Sequence, residues 1–151
     1  MKKVYFILIL GIFYLVACQP KQVKKDLKWY FKQEFKMELP SSVHTIIILD
    51  DIGCKGCNVS FSNWVRKNAL NHDKIWVVVT ATGAHMDISP YLNVRYKNVF
   101  IEQNTGTFKE LQLCGSSGFV FVKGGKVEQT YCISAQELEN HLQLLNARLK
   151  L

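Results

Sequence analysis

The chain is poor in the residues that keep a polypeptide open or repetitive, with three prolines and nine glycines in 151 residues. It has no internal repeat and no low-complexity tract, which excludes disordered and fibrous classes. Acidic residues are also scarce, twelve against nineteen Lys and Arg, for a formal net charge of +7. Cysteine is neither absent nor abundant. Five are many for a reducing cytoplasm and few for a small disulfide scaffold of this length, so their positions decide their role. The apolar run Val4 to Ala17 has only fourteen residues. As a helix it would span roughly 21 Å, short of a bilayer core of about 30 Å. The whole chain is 48% hydrophobic and 21% charged, enough for one core in a single domain.

The fourteen-residue run follows Lys2 and Lys3 and ends Leu15-Val16-Ala17-Cys18. A positive start, an apolar stretch and a small residue before a cleavage point make a signal peptide. The ending resembles a bacterial lipobox, whose cysteine is diacylated and becomes the new N-terminus. An ordinary secretory signal with an incidental cysteine is the other reading. The expectation is a lipoprotein signal peptide over residues 1–17 and a lipid on Cys18. The mature chain would be anchored in the bacterial cell envelope, facing the periplasm or the exterior. Without Lys2 and Lys3 it keeps 17 basic and 12 acidic residues, a net charge of +5. Its four remaining cysteines would lie where disulfides persist.

Residues 18–40 form a basic segment with Lys21, Lys24, Lys25, Lys28, Lys32 and Lys36. Val23, Leu27, Phe31 and Phe35 recur every fourth position, the signature of an amphipathic helix. Such a helix can lie on anionic headgroups as a second membrane signal, or pack its apolar stripe on the domain as an added helix. Beyond this segment the lysines do not cluster along the sequence, and nucleic acid is not an expected partner outside the cytoplasm.

From residue 41 to 151 strands and helices alternate. Thr45 to Leu49 and Ile75 to Thr80 read as buried strands, with a helix carrying Val59, Trp64, Val65 and Leu70 between them. Ala81 to Asn98 reads as irregular or partly helical, Val99 to Glu102 as a third strand, and Thr107 to Leu111 as a short helix opened by Thr105 or Thr107. Phe119–Lys123 and Lys126–Tyr131 flank Gly124-Gly125, a tight-hairpin signal in which positions summing to 249 face each other. Ser134 to Glu137 reads as a capping box before a helix with Leu138, Leu142, Leu145 and Leu149 on one face. The fold class is α/β, a central mixed β-sheet flanked by helices.

Cys54-Lys55-Gly56-Cys57 falls directly after the first strand and at the start of the first helix of this domain. Unpaired N–H groups and the positive end of the dipole at a helix N-terminus stabilise a thiolate there. A second cysteine three residues on can close a disulfide and release a mixed disulfide by attacking it. The expectation is Cys54 as attacking thiol and Cys57 as resolving thiol, with Lys55 favouring the thiolate. No cofactor and no metal are needed.

On these residues, with Ile46-Ile47-Ile48-Leu49, the Phe119 to Val127 hairpin and the closing helix, the chain resembles the thioredoxin superfamily over residues 41–151. The stretch between Thr80 and Val99 is similar to the insertion in membrane-anchored extracytoplasmic thioredoxin-like reductases. The resemblance implies a thioredoxin-like fold and thiol–disulfide exchange with extracytoplasmic proteins carrying thiols or disulfides. It departs from the family in three places. Glycines replace the tryptophan and proline around the motif. Ser116 or Ser117, in the implied substrate-binding loop, stands where the family has a cis-proline, and a trans bond is expected there. Ile48 replaces the family's buried aspartate, leaving Asp50 or Asp51 as proton acceptors or as plain solvated loop residues. Cys114 and Cys132 either form a second disulfide or remain as extra thiols. Other readings of Cys54 and Cys57 are a structural disulfide in a partner-binding module, a half zinc site, or copper delivery with His85.

Overall fold

The structure, a computed structural model, describes residues 25–92, 96–104 and 106–150. The signal segment, the proposed lipidation at Cys18, Val23 and Thr105 lie outside them.

The β-branched run Thr45–Leu49 (β1) and the run Ile75–Val79 (β2) are buried along their whole length. That is the composition of strands covered on both faces. β1 pairs in parallel with β2, with Ile47 beside Val77, and β2 pairs in parallel with Val99–Ile101 (β3). On its other side β1 pairs antiparallel with Gly118–Lys123 (β4), which turns back into Lys126–Cys132 (β5). The mixed sheet has the order β3-β2-β1-β4-β5.

The period-2 alternation of the strands divides the core into two layers. Ile47, Leu49, Val77 and Phe119 face Lys55–Asn68 (α2) and Leu138–Leu149 (α3), packing with Phe61, Val65 and Leu145. Ile46, Ile48, Trp76 and Val120 face the opposite layer, which contains Leu27–Phe35 (α1) and a 3₁₀ turn at Phe108–Leu111. Asp26 caps α1 by accepting the Trp29 N–H at 2.9 Å. Leu27, Tyr30 and Phe31 are buried, so the apolar stripe of the basic segment belongs to the core and only its lysine face is free.

Three local expectations need correction. A β-bulge between Phe121 and Val122 shifts the hairpin register by one, so Cys132 faces Gly118 rather than Ser117. The capping box does not form: the Ser134 hydroxyl meets the Glu137 carboxylate at 3.2 Å instead of a backbone N–H, and Glu137 is the N-cap, so α3 begins at Leu138, three residues later than a Ser134 cap would start it. Thr107 does not cap its turn, since its hydroxyl donates to the Asn104 carbonyl at 3.1 Å. Trp64 is partly buried against the core and donates its indole N–H to Asn146 at 3.0 Å.

Candidate functional site

Cys54 and Cys57 form a disulfide across the first turn of α2, with Cα atoms 5.2 Å apart. Cys54 is the N-cap: its Sγ accepts the Cys57 N–H at 3.2 Å, and no acidic residue occupies the first turn. The two sulfurs are inequivalent. Cys54 is exposed, whereas Cys57 is 6% exposed and packs with Phe61 in the core.

The loop that brings the chain from β1 to Cys54 is fixed from three sides. Ser117, fully buried at the start of β4, accepts the Asp50 N–H at 3.0 Å and donates to the Asp50 carbonyl at 2.9 Å. The Asp50 carboxylate accepts the Ile52 N–H at 2.7 Å and the Thr80 hydroxyl at 2.7 Å. From below, the buried Asn58 amide donates to the Ile52 carbonyl at 3.0 Å. Gly53 adopts φ +98°, and a Cβ there would come within 3.1 Å of Ser116 Cβ, so glycine is required both by backbone and by space.

Asp51 and Asp50 are therefore not solvated loop residues, contrary to one sequence reading. One Asp51 carboxylate oxygen gathers the Thr82 N–H at 2.7 Å, the Thr82 hydroxyl at 3.0 Å and the Gly83 N–H at 3.0 Å. The other accepts the His85 N–H at 3.2 Å. Burial works against ionisation, but the hydrogen bonds from Thr82, His85 and Ala84 outweigh it and hold the carboxyl below the usual aspartate range. The irregular stretch after β2 is thereby clamped to the cysteine loop.

Cys114 and Cys132 pair, with Cα atoms 5.6 Å apart. Gly118, opposite Cys132, makes room for it: a Cβ there would collide with the Tyr131 carbonyl and lie 2.8 Å from Cys114 Sγ. This disulfide and the cysteine loop border one groove of about 380 Å³, walled by Ile52, Ser116, Phe108 and Cys114. Ile52 is 46% exposed at its edge. Ser116 and Ser117 thus differ in kind. Ser116 faces the groove and is half-buried, while Ser117 is consumed by Asp50. All described peptide bonds are trans, as expected before β4.

His85 is exposed, and among the described residues no three His, Cys, Asp or Glu side chains gather to hold a metal. Sequence reasoning missed Asn58 and the Ser117 latch. A polar Asn immediately after Cys57, on the buried face of the helix, was the only local signal for either. No protein-family model, no curated protein and no solved structure matches this chain, so its chemistry is read from the Cys54 loop itself.

Proposed function

We propose that this chain is a lipid-anchored thiol–disulfide oxidoreductase of the bacterial envelope, built on a thioredoxin-like fold and acting on cysteines of other extracytoplasmic proteins. The observation that carries the reading is the asymmetry of the Cys54–Cys57 pair: an exposed sulfur at a helix N-terminus over a buried one. The central parallel strand leading into that helix, and the antiparallel hairpin beside it, are consistent with the fold.

In the reduced chain, the Cys57 N–H and the dipole of α2 would stabilise a Cys54 thiolate. That thiolate attacks one sulfur of a partner disulfide and the partner's other sulfur leaves as thiolate. Cys57 then attacks Cys54, closing the intramolecular disulfide and releasing the partner reduced by two electrons. The reverse sequence oxidises a partner dithiol. Ser116 and Ile52, on the groove bordered by the loop that precedes Cys54, would contact the partner's backbone.

A second reading, a partner-binding module whose disulfide only stabilises, draws on the serines that stand where the family has proline. One experiment separates the two. In the Cys57→Ser chain, Cys54 should form a mixed disulfide with oxidised glutathione at least about tenfold faster than Cys57 does in the Cys54→Ser chain. Equal rates, or reaction only on unfolding, would sink the redox reading.

A further inference from the structure

The lysines that are scattered in the sequence share one end of the fold. Because β1, β2 and β3 run parallel, the residues before them lie at the same end of the sheet. The β4–β5 turn joins them there, since Phe121 lies opposite Thr45, the first residue of β1. α2 starts at the Cys54 end and finishes at this one, where the Ala69 carbonyl meets the Asn98 amide at 2.9 Å. The end of α3 is there too, with the Arg148 guanidinium 5.1 Å from the Phe121 ring.

This end exposes Lys28, Lys74, Lys97, Lys123, Lys126 and Lys150. Among the described residues the ion pairs are Lys25–Glu110 and Arg148–Glu128, so none of the six has a carboxylate partner. The acidic residues nearby are Asp73, the capping Asp26, and Glu110 and Glu128, which are taken up by Lys25 and Arg148. Lys123 and Lys126 face each other directly across the hairpin, an arrangement that is unfavourable unless an anion is shared between them. Lys28 lays its stem over the same turn, where a Cβ on Gly125 would collide with it. Asp50, Asp51, Glu34, Glu102 and Glu137 lie toward the opposite, cysteine-bearing end.

We propose that this basic end is a docking surface for anionic membrane lipid, and that docking turns the Cys54–Cys57 loop away from the bilayer. The choice of lipid rests on where the chain enters. The described fold begins at Lys25, beside the β4–β5 turn, and is preceded by Lys21, Lys24 and the apolar run. On the lipid-anchor reading, residues 18–24 extend at most about 25 Å, which keeps this end at the membrane. Each lysine near an anionic leaflet strengthens association about fivefold, an effect that fades beyond a Debye length of about 8 Å.

The test uses the full chain reconstituted with vesicles of neutral phosphatidylcholine, or with a third of phosphatidylglycerol added, and a membrane-impermeant amine reagent. Labelling of Lys123 and Lys126 should fall about fivefold or more on the anionic vesicles and recover in 1 M salt, while Lys55 reacts equally on both. In a K123E/K126E chain the shielding of Lys28 and Lys74 should disappear, with thiol exchange at Cys54 unchanged. Equal labelling on both vesicles, shielding of Lys55 instead, or shielding by soluble polyglutamate alone would overturn the proposal. Sedimentation with neutral vesicles reads the anchor separately: a chain that sediments only with anionic vesicles loses the anchor and keeps the docking surface.

Discussion

Ser117 offers the sharpest perturbation, because its hydroxyl is fully buried and serves both backbone polar groups of Asp50, at 3.0 and 2.9 Å. Replacing it with alanine removes an acceptor and a donor at once from a site closed to solvent. A buried backbone group stripped of its partner costs about 1–3 kcal/mol, so Ser117→Ala should lose about 2–4 kcal/mol in all. With a urea slope of about 1.5 kcal/mol per M, the unfolding midpoint should fall by about 1.3–2.7 M. Tryptophan fluorescence during urea titration, with both disulfides kept oxidised, reads this directly. Ser116→Ala is the control: that side chain is half-buried, its hydroxyl bonds are long at 3.2 and 3.5 Å, and the midpoint should barely move. A Ser117→Ala midpoint within about 0.3 M of the parent would refute the latch.

Two further outcomes follow from the same contacts. Asp51 has a folded pKa below its unfolded value, so its stabilisation is complete above the unfolded value of 3.8 and is lost as pH falls through the lower folded one. Protection of the Thr82, Gly83 and Ala84 amides, relative to their intrinsic exchange rates, should fall on acidification in that window, and Asp51→Ala should bring the same loss to neutral pH; unchanged protection would mean that the clamp is not needed. Phe31 is fully buried, with ring centroids 4.8 Å from Trp76 and 5.6 Å from Phe100. Phe31→Ala should cost about 3–5 kcal/mol in chemical denaturation, and a loss under about 1 kcal/mol would detach α1 from the core.

The strands were legible because Thr-Ile-Ile-Ile-Leu and Ile-Trp-Val-Val-Val admit little else between turn signals. The cysteine pair was legible because both its spacing and its place after a strand are local. The bulge at Phe121 and Val122 carries no sequence mark, yet it decides that Cys132 faces Gly118, the glycine that leaves room for the Cys114–Cys132 disulfide. The same holds for Asp51, whose donors lie more than thirty residues away. The basic end escaped altogether. Lys74 and Lys97 share an end because three strands share a direction, and Lys126 and Lys28 join them there through antiparallel β4 and its turn. Local chemistry shows in a sequence; convergence set by topology and register does not.

The central claim is that Cys54 and Cys57 exchange electrons with partners in the folded protein. Its most direct test is the reduction potential of this pair in the full chain, read by thiol alkylation across a series of redox buffers, with a Cys114→Ser/Cys132→Ser chain as control. A reversible potential between roughly −270 and −120 mV, unchanged by that control, is the expected result. A value below about −300 mV, or a pair that stays oxidised until the domain unfolds, would make the disulfide structural and contradict the account.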